Sequence, residues 1–213
     1  MTEAGLLAIP GRSIYFEQDY SGSKNLRQAH GDKFGALDVN TYAPIFSKQA
    51  LFAQNTISTA YLLGKLIGTP ATPAVFTNVS RGNLFGTVIE TLLIKLTGPN
   101  TNPPDLDVHF FANTLGVSTT LGDNIYPIVG VADMIALAGV VQIRAASGHW
   151  TRTYAALNTT GYWAATLNPF LSFALNNLDP TKADMSYFVT MAQATYTFDP
   201  ATVMEIQLTL RQG

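Results

Sequence analysis

The amino-acid sequence predicts an all-β protein, an antiparallel β-sandwich of jelly-roll-like form that follows an extended N-terminal arm. From about Thr56 onward apolar and polar residues alternate with a period of two, which is typical of strands with one buried face. Helical signals are few, and the chain shows no strand-helix alternation and no repeat of 20 to 50 residues. We therefore expect an arm at residues 1–56 and a sandwich domain at residues 57–213.

The predicted strands are separated by clusters of Gly, Pro, Asn and Asp, which favour turns. These strands cover residues 87–96, 106–110, 140–144, 152–157, 162–167, 187–198 and 203–211. Alternation assigns Leu92, Ile94, Ile206 and Leu208 to the core and Lys95, Glu205 and Gln207 to the solvent face. Two segments are less regular. Residues 133–138 fit one or two helical turns capped by Asp133, and residues 169–175 fit either a helix or a buried strand.

The first quarter of the chain differs in composition from the rest. Residues 1–56 hold five acidic and five basic residues, isolated aromatics and little periodicity. Such a segment orders when it docks, and its aromatic side chains are suited to fill grooves on another surface. We predict Tyr15, Phe16, Tyr20 and Phe34 as partner-binding anchors of the arm. The alternative is that the arm folds back over its own domain.

Composition excludes several classes of function. The formal net charge is -2, so no basic excess is available for a nucleic-acid partner. The chain has no cysteine, which rules out disulfides, thiolate zinc sites and a Cys nucleophile. Only 12% of the residues are charged, and such a surface repels copies of itself weakly. This suits a chain packed against copies or a partner, or else a β domain with a neutral polar surface.

Neither a leader nor a membrane span is expected from the sequence. The N-terminus lacks a basic region and a long apolar run. The most apolar segment, residues 128–143, is shorter than the roughly 18 residues that a span needs, and Asp133 interrupts it. We expect a protein that is made and kept soluble, without a membrane partner.

Two groups of polar residues are candidate metal ligands. Asp105, Asp107 and His109 are spaced two apart, so that a strand would present all three on one face. A solvated strand face is the favoured alternative. Residues 122–124, Gly-Asp-Asn, could supply oxygen ligands to calcium but also match ordinary turn chemistry, which we favour. We expect no cofactor and no metal.

No catalytic motif is visible in the sequence. None of the three histidines lies in a known nucleophile or metal motif, and there is no G-x-S-x-G, H-E-x-x-H or P-loop, so we expect no enzyme. A cluster of aromatic residues could stack on a sugar, as in a lectin-like sandwich, although aromatics in strands usually belong to a core or a subunit interface. These residues are Trp150, Tyr154, Tyr162 and Trp163.

Five short segments follow one another in an order that resembles a family of tailed-bacteriophage head proteins encoded among capsid genes. The segments are residues 58–68, 86–96, 107–113, 122–126 and 131–143. Lys65 stands where Asp is common in that family, and residues 1–55 have no counterpart. Within these segments Gly64, Gly68 and Gly86 are predicted to permit positive φ or close backbone approach, and Asp123 and Asn124 to form a turn.

The resemblance implies a decoration (cement) protein with no catalytic residues to carry over. We therefore predict a non-enzymatic bacteriophage virion protein that binds the capsid exterior and stabilises the head by bridging major capsid protein subunits. It would be made in the host cytoplasm and form a homo-oligomer, with a trimer favoured over a dimer. The alternatives are a tail- or fibre-associated, lectin-like receptor-binding module, a capsid-building jelly roll and a metal-dependent cupin-like enzyme.

Overall fold

The computed structural model of the chain describes residues 14–20, 23–31, 37–38, 45–52, 60–68, 74–80, 85–98, 100–116, 119–154, 161–179, 181–199 and 202–212. The chain forms two units, residues 1–42 and residues 43–213. In the first unit β1 (Ile14–Tyr20), β2 (Ser23–Gly31) and β3 (Leu37–Asp38) form an antiparallel sheet in the order β1-β2-β3. Phe34 and the side chains of Tyr15, Phe16 and Tyr20 lie outside the described part of the chain, so their anchoring role stays a prediction.

The second unit contains the remaining described elements, which are nearly all strands. They are β4 (Ile45–Phe52), β5 (Tyr61–Leu62), β6 (Leu66–Ile67), β7 (Ala74–Phe76), β8 (Gly86–Thr97), β9 (Leu106–Phe111), α1 (Val131–Met134), β10 (Leu137–Ile143), β11 (Trp150–Tyr154), β12 (Gly161–Leu167), β13 (Leu171–Ala174), β14 (Met185–Met191), β15 (Thr195–Tyr196) and β16 (Val203–Gln212). No helix in the described ranges is long and apolar enough to cross a membrane.

The strand pairing gives a jelly roll. One sheet has the order β4-β16-β8-β12-β11, with β13 also paired to β8. The facing sheet has the order β6-β14-β9-β10, with β7 also paired to β14. The first strand of the unit therefore pairs with the last, and the four-strand orders β4-β16-β8-β12 and β7-β14-β9-β10 match a jelly roll of two Greek keys. All of these pairs are antiparallel, which confirms the predicted fold class.

The core between the two sheets is built from the alternation seen in the sequence. Leu92, Ile94, Ile206 and Leu208 have no exposed surface, as predicted. Burying each such side chain contributes about 1.5 to 3 kcal/mol relative to leaving it in water. On the outer face Lys95 lies directly across from Glu205, and Gln207 follows on the same strand.

One local prediction differs from the structure, one ambiguous segment is resolved, and one prediction is confirmed in part. The helix α1 begins after Gly130, which makes no side-chain capping bond, so Asp133 lies inside the helical turn and does not cap it. Residues 171–174 of the ambiguous segment form β13. Gly64 and Gly68 adopt the expected positive φ, but Gly86 does not, and open space lies where its Cβ would stand.

The strand β4 lies within the stretch that the sequence analysis assigns to the arm. Its residues Ile45 to Phe52 pair with Met204 to Leu210 of β16, so β4 is an edge strand of the six-stranded sheet. The compact second unit begins at Ala43. A truncation that tests the arm without removing this strand therefore ends at Tyr42.

Candidate docking surface on the connection between β9 and β10

The connection between β9 and β10, residues 112–136, is unusually long for a compact domain. Connections beyond about 12 to 15 residues are uncommon, and those that occur are often functional. In its described residues α1 is the only helix or extended strand. The length of this connection marks it as a candidate site.

Part of the connection packs on the outer face of the sheet that contains β14. Leu115 and Leu121 of the connection contact Leu66, Phe111 and Phe188, and these buried side chains form a second hydrophobic core. As a result every residue of β14 is buried, on the outer as well as the inner face of its sheet. The connection is therefore a packed layer of the domain.

A buried carboxylate holds the two halves of the connection together. Asp133 is 5% exposed and accepts hydrogen bonds from the Gly116 backbone N–H, at 3.0 Å, and from the Thr119 hydroxyl. The Thr119 oxygen in turn accepts a bond from the Gly130 N–H at 3.0 Å. A buried carboxyl group needs hydrogen-bond partners, and these contacts join residues 116 and 119 of the connection to α1.

A second carboxylate ties the connection to β5 and to the residue that follows β6. Asp123 accepts hydrogen bonds from the Tyr61 hydroxyl at 2.7 Å and from the Gly68 N–H at 3.1 Å. Burial, helped by this bond and by the Asp123 charge, raises the pKa of Tyr61, so Tyr61 remains a proton donor. The predicted turn is confirmed, with Asn124 at φ 57°. The backbone carbonyl of the next residue, Ile125, accepts a hydrogen bond at 2.8 Å from the Leu66 N–H.

The side of the connection that faces away from the second core is apolar and exposed. Ile128, Val131 and Ile135 are 64%, 84% and 82% exposed, although large aliphatic side chains normally avoid water. Together with their exposed apolar neighbours they form what we call the loop surface. Its members are Leu62, Leu63, Ile125, Tyr126, Ile128, Val131, Met134 and Ile135.

The two chain segments of the loop surface touch at Tyr126. A Cβ on Gly64 would lie 3.4 Å from the Tyr126 ring, and the Lys65 amino group lies 5.9 Å from the centre of that ring. Residues 60–68 and 112–136 carry three charged residues, Lys65, Asp123 and Asp133, and both carboxylates make the bonds described above. The loop surface is thus an apolar, nearly neutral patch on a rigid support, which is a common feature of protein docking sites.

The three candidate metal ligands, Asp105 just before β9 and Asp107 and His109 on it, are engaged with separate protein groups. Asp105 accepts a hydrogen bond from the Ala145 N–H at 2.7 Å, and Asp107 forms an ion pair with Arg144 at 2.6 Å. Among the residues that the structure describes, no group of three or more His, Asp and Glu side chains is placed to hold a metal. For Asp105 and Asp107 the geometry indicates a structural role.

His109 belongs to the second core rather than to a cluster of ligands. Its ring stacks on Phe188 with the centroids 4.7 Å apart, and Nε2 lies 3.1 Å from the Thr190 hydroxyl. Burial lowers the pKa of His109, and the nearby charge of Asp107 opposes this shift. The imidazole is therefore held in its neutral form.

Among the candidate sugar-binding aromatics whose side chains are described, the two tryptophans are bonded to backbone carbonyls and packed on the main core. The Trp150 indole N–H donates to the Pro104 carbonyl at 2.9 Å, and that of Trp163 donates to the Asn100 carbonyl at 3.0 Å. Trp150 is buried, and Trp163 packs against the main core. Both indoles thus hold the turn before β9. The centre of the Tyr162 ring lies 5.5 Å from the Lys95 amino group. The side chain of Tyr154 is outside the described residues.

Sequence reasoning missed the loop surface, although one signal pointed to it. Residues 128–143 are the most apolar segment of the chain, although they are too short to predict a membrane span. The exposure of Ile128, Val131 and Ile135 depends on the path of the connection over β14. That path is set by contacts distant in sequence, so hydropathy alone does not reveal it.

Comparison with known proteins adds little to this description. No protein-family model and no curated protein matches the chain. Among solved structures it is similar to a chain from the native virion of Kashmir bee virus, with 9% identity, a TM-score of 0.27 and coverage of 100% of this chain and 94% of that one. It is also similar to a chain of deformed wing virus, a honeybee pathogen, with 13% identity, a TM-score of 0.21 and coverage of 100% and 59%. At these TM-scores the likeness carries no argument. The jelly roll therefore rests on strand pairing, and the resemblance to tailed-phage head proteins stays a prediction.

Proposed function

We propose that this chain is a non-enzymatic virion protein that binds the exterior of a capsid and stabilises the head by bridging major capsid protein subunits. The observation that carries the proposal is the loop surface, an apolar patch that buried hydrogen bonds and a second core hold in place. A rigid apolar patch of this kind favours binding to another protein. The sequence resemblance supplies the virion as the setting.

The arrangement of the polar residues that could take part in catalysis or metal binding favours a binding role. Asp107, Asp133 and His109 each make contacts that hold the fold, and in the described residues they do not converge on a common point. Both indoles that a glycan-binding alternative would use are bonded to backbone carbonyls. The lectin-like tail or fibre module consequently gains no support from this geometry.

Binding would stabilise a capsid by mass action. A protein that binds the assembled lattice and not its free subunits shifts the equilibrium toward the lattice. Bridging needs at least two contact sites for each bound particle, and linked sites raise avidity through effective concentration. The N-terminal unit, residues 1–42, is the proposed second contact because its composition differs from that of the sandwich.

Co-sedimentation with shells of the major capsid protein from the same virus tests this proposal. We expect the full chain to co-sediment at a fixed ratio and to raise the temperature at which the shells break. Removing residues 1–42 leaves β4 in place, so the truncated chain should melt at nearly the same temperature. Two lost aromatic anchors would weaken shell binding by more than about a hundredfold.

A matched truncation separates loss of binding from loss of folding. Removing residues 1–55 also deletes β4 and leaves the edge of β16 unpaired, so this form should melt at a lower temperature. Failure of the full chain to bind shells would overturn the proposed function. Equal shell binding by the full chain and the chain lacking residues 1–42 would remove the arm from the contact.

A further inference from the structure

We propose that the loop surface joins copies of this chain to one another, loop against loop around a rotation axis. This inference rests on the proposed function, because copies joined at the loop surface would bridge the coat subunits that each copy contacts. It leaves contact with the coat to other parts of the chain. Three properties of the loop surface lead to it: its area, its charge and its rigidity.

The exposed apolar area is of the size that a stable contact between subunits needs. The eight side chains are between 41% and 84% exposed. At roughly 100 Å² for each, their area is of the same order as the ~800 Å² that a standard-size interface buries on each partner. The patch is also larger than the few hundred Å² that monomeric proteins usually expose.

The charge of the loop surface suits a contact with itself. A contact around a rotation axis brings the same patch of each copy together, so a patch with several like charges would repel its partner. Here Asp133 is buried, Asp123 is bonded to Tyr61, and Lys65 lies over the ring of Tyr126. The loop surface has few charged groups, and each of them contacts another group of the same chain. It therefore attracts a strongly charged partner weakly and repels a copy of itself little.

The rigidity of the loop surface lowers the cost of association. A flexible loop loses conformational entropy when it docks, whereas a preorganised one does not. The Asp133 bonds fix α1, which carries Val131 and is followed by Ile135, and the second core fixes the layer beneath. The two most exposed members of the patch therefore protrude from its best-supported part. A partner copy would cover them without rearrangement of the loop.

Sedimentation equilibrium of the full chain over a range of concentrations tests the proposal. We expect an oligomer, and we expect Val131→Asp and Ile135→Asp each to weaken association at least about tenfold, which corresponds to about 1.4 kcal/mol. Both positions are more than 80% exposed in the single chain, so neither change should disturb the fold itself, which far-ultraviolet circular dichroism measures. Leu178→Asp is the matched control, because Leu178 is 99% exposed but lies outside the loop surface.

Cross-linking checks the loop-to-loop geometry. Because the chain has no cysteine, Val131→Cys introduces a single thiol, which mild oxidation or a short bifunctional thiol reagent can join only between copies. We expect cross-linked dimers from Val131→Cys at concentrations where Leu178→Cys gives none. Equal yields from the two variants, or an oligomer that survives both aspartate substitutions, would refute the loop-to-loop contact.

Shell binding by the same variants separates this inference from the proposed function. A chain that is monomeric at all concentrations but loses shell binding through Ile135→Asp would show that the loop surface contacts the coat. That result overturns the inference and keeps the proposed function. An oligomer that depends on the loop surface and binds no shells would support the inference and overturn the proposed function.

Discussion

The two hydrophobic cores of the sandwich domain are built in different ways. The main core lies between the two sheets and is filled by alternate residues of long strands, such as Leu92 and Ile206. The second core lies between β14 and the connection over residues 112–136, whose path is also held by hydrogen bonds to the buried Asp133. The main core thus specifies the fold, whereas the second core supports a surface. Substitutions in the main core should therefore prevent folding, and substitutions in the second core should alter what the protein binds.

The largest effect is expected in the main core. Ile206→Asp places a carboxylate at a position with no exposed surface, and an unpaired buried charge there costs several kcal/mol. We expect no soluble folded protein, measured as the yield of monodisperse material and by far-ultraviolet circular dichroism. Gln207→Asp introduces the same side chain on the outer face and is the control. A well-folded Ile206→Asp variant would show that this face of β16 does not line the core.

A smaller and more local effect is expected in the second core. Asp133→Ala leaves the Gly116 N–H and the Thr119 hydroxyl without their acceptor, at a cost of about 1 to 3 kcal/mol. Hydrogen exchange should become faster across residues 112–136, while β8 and β16 stay protected. Asp179→Ala, which changes an exposed carboxylate, should leave exchange in the connection unchanged. Uniform loss of protection in both cores would show that the second core does not open independently of the main core.

The smallest effect is a pH dependence of the second core. Burial lowers the pKa of His109 in the folded state, so between the folded and unfolded pKa values the unfolded chain binds more protons. The stability from the neutral ring is fully present above the unfolded pKa of about 6.5 and is lost as the pH falls toward the folded pKa. The side chains of Asp107, Phe188 and Thr190 surround the ring, and the Asp107 charge opposes the shift.

Melting temperatures of the wild type and His109→Gln between pH 7.5 and 5 would measure this dependence. The wild type should lose stability on acidification more steeply than the variant. The other two histidines and all carboxylates are present in both proteins, so the difference between the two curves reports on His109. Parallel curves would mean that protonation of His109 is not linked to folding.

Much of the fold was predictable from the sequence because alternation is a local property. Residues of β16, and those of β8 from Thr91 to Leu96, alternate between core and solvent, so Leu92, Ile206 and Lys95 were assigned correctly without knowledge of their partners. A register shift at Glu90 reverses the alternation in the first half of β8, which the sequence pattern did not reveal. The end of the arm was harder to place. Residues 45–52 lack clear alternation, and their membership of the sheet appears only in their pairing with β16.

The candidate site, in contrast, was decided by tertiary structure. The sequence contained an apolar segment with Asp133 inside it, and by itself it determined that this segment is too short to span a membrane. Only the fold brought Gly116 and Thr119 to Asp133 and laid the connection over β14, leaving Val131 and Ile135 in water. The physical reason is the range of the interactions. Strand alternation follows from the geometry of neighbouring residues, whereas burial of a loop follows from contacts between residues far apart in the chain.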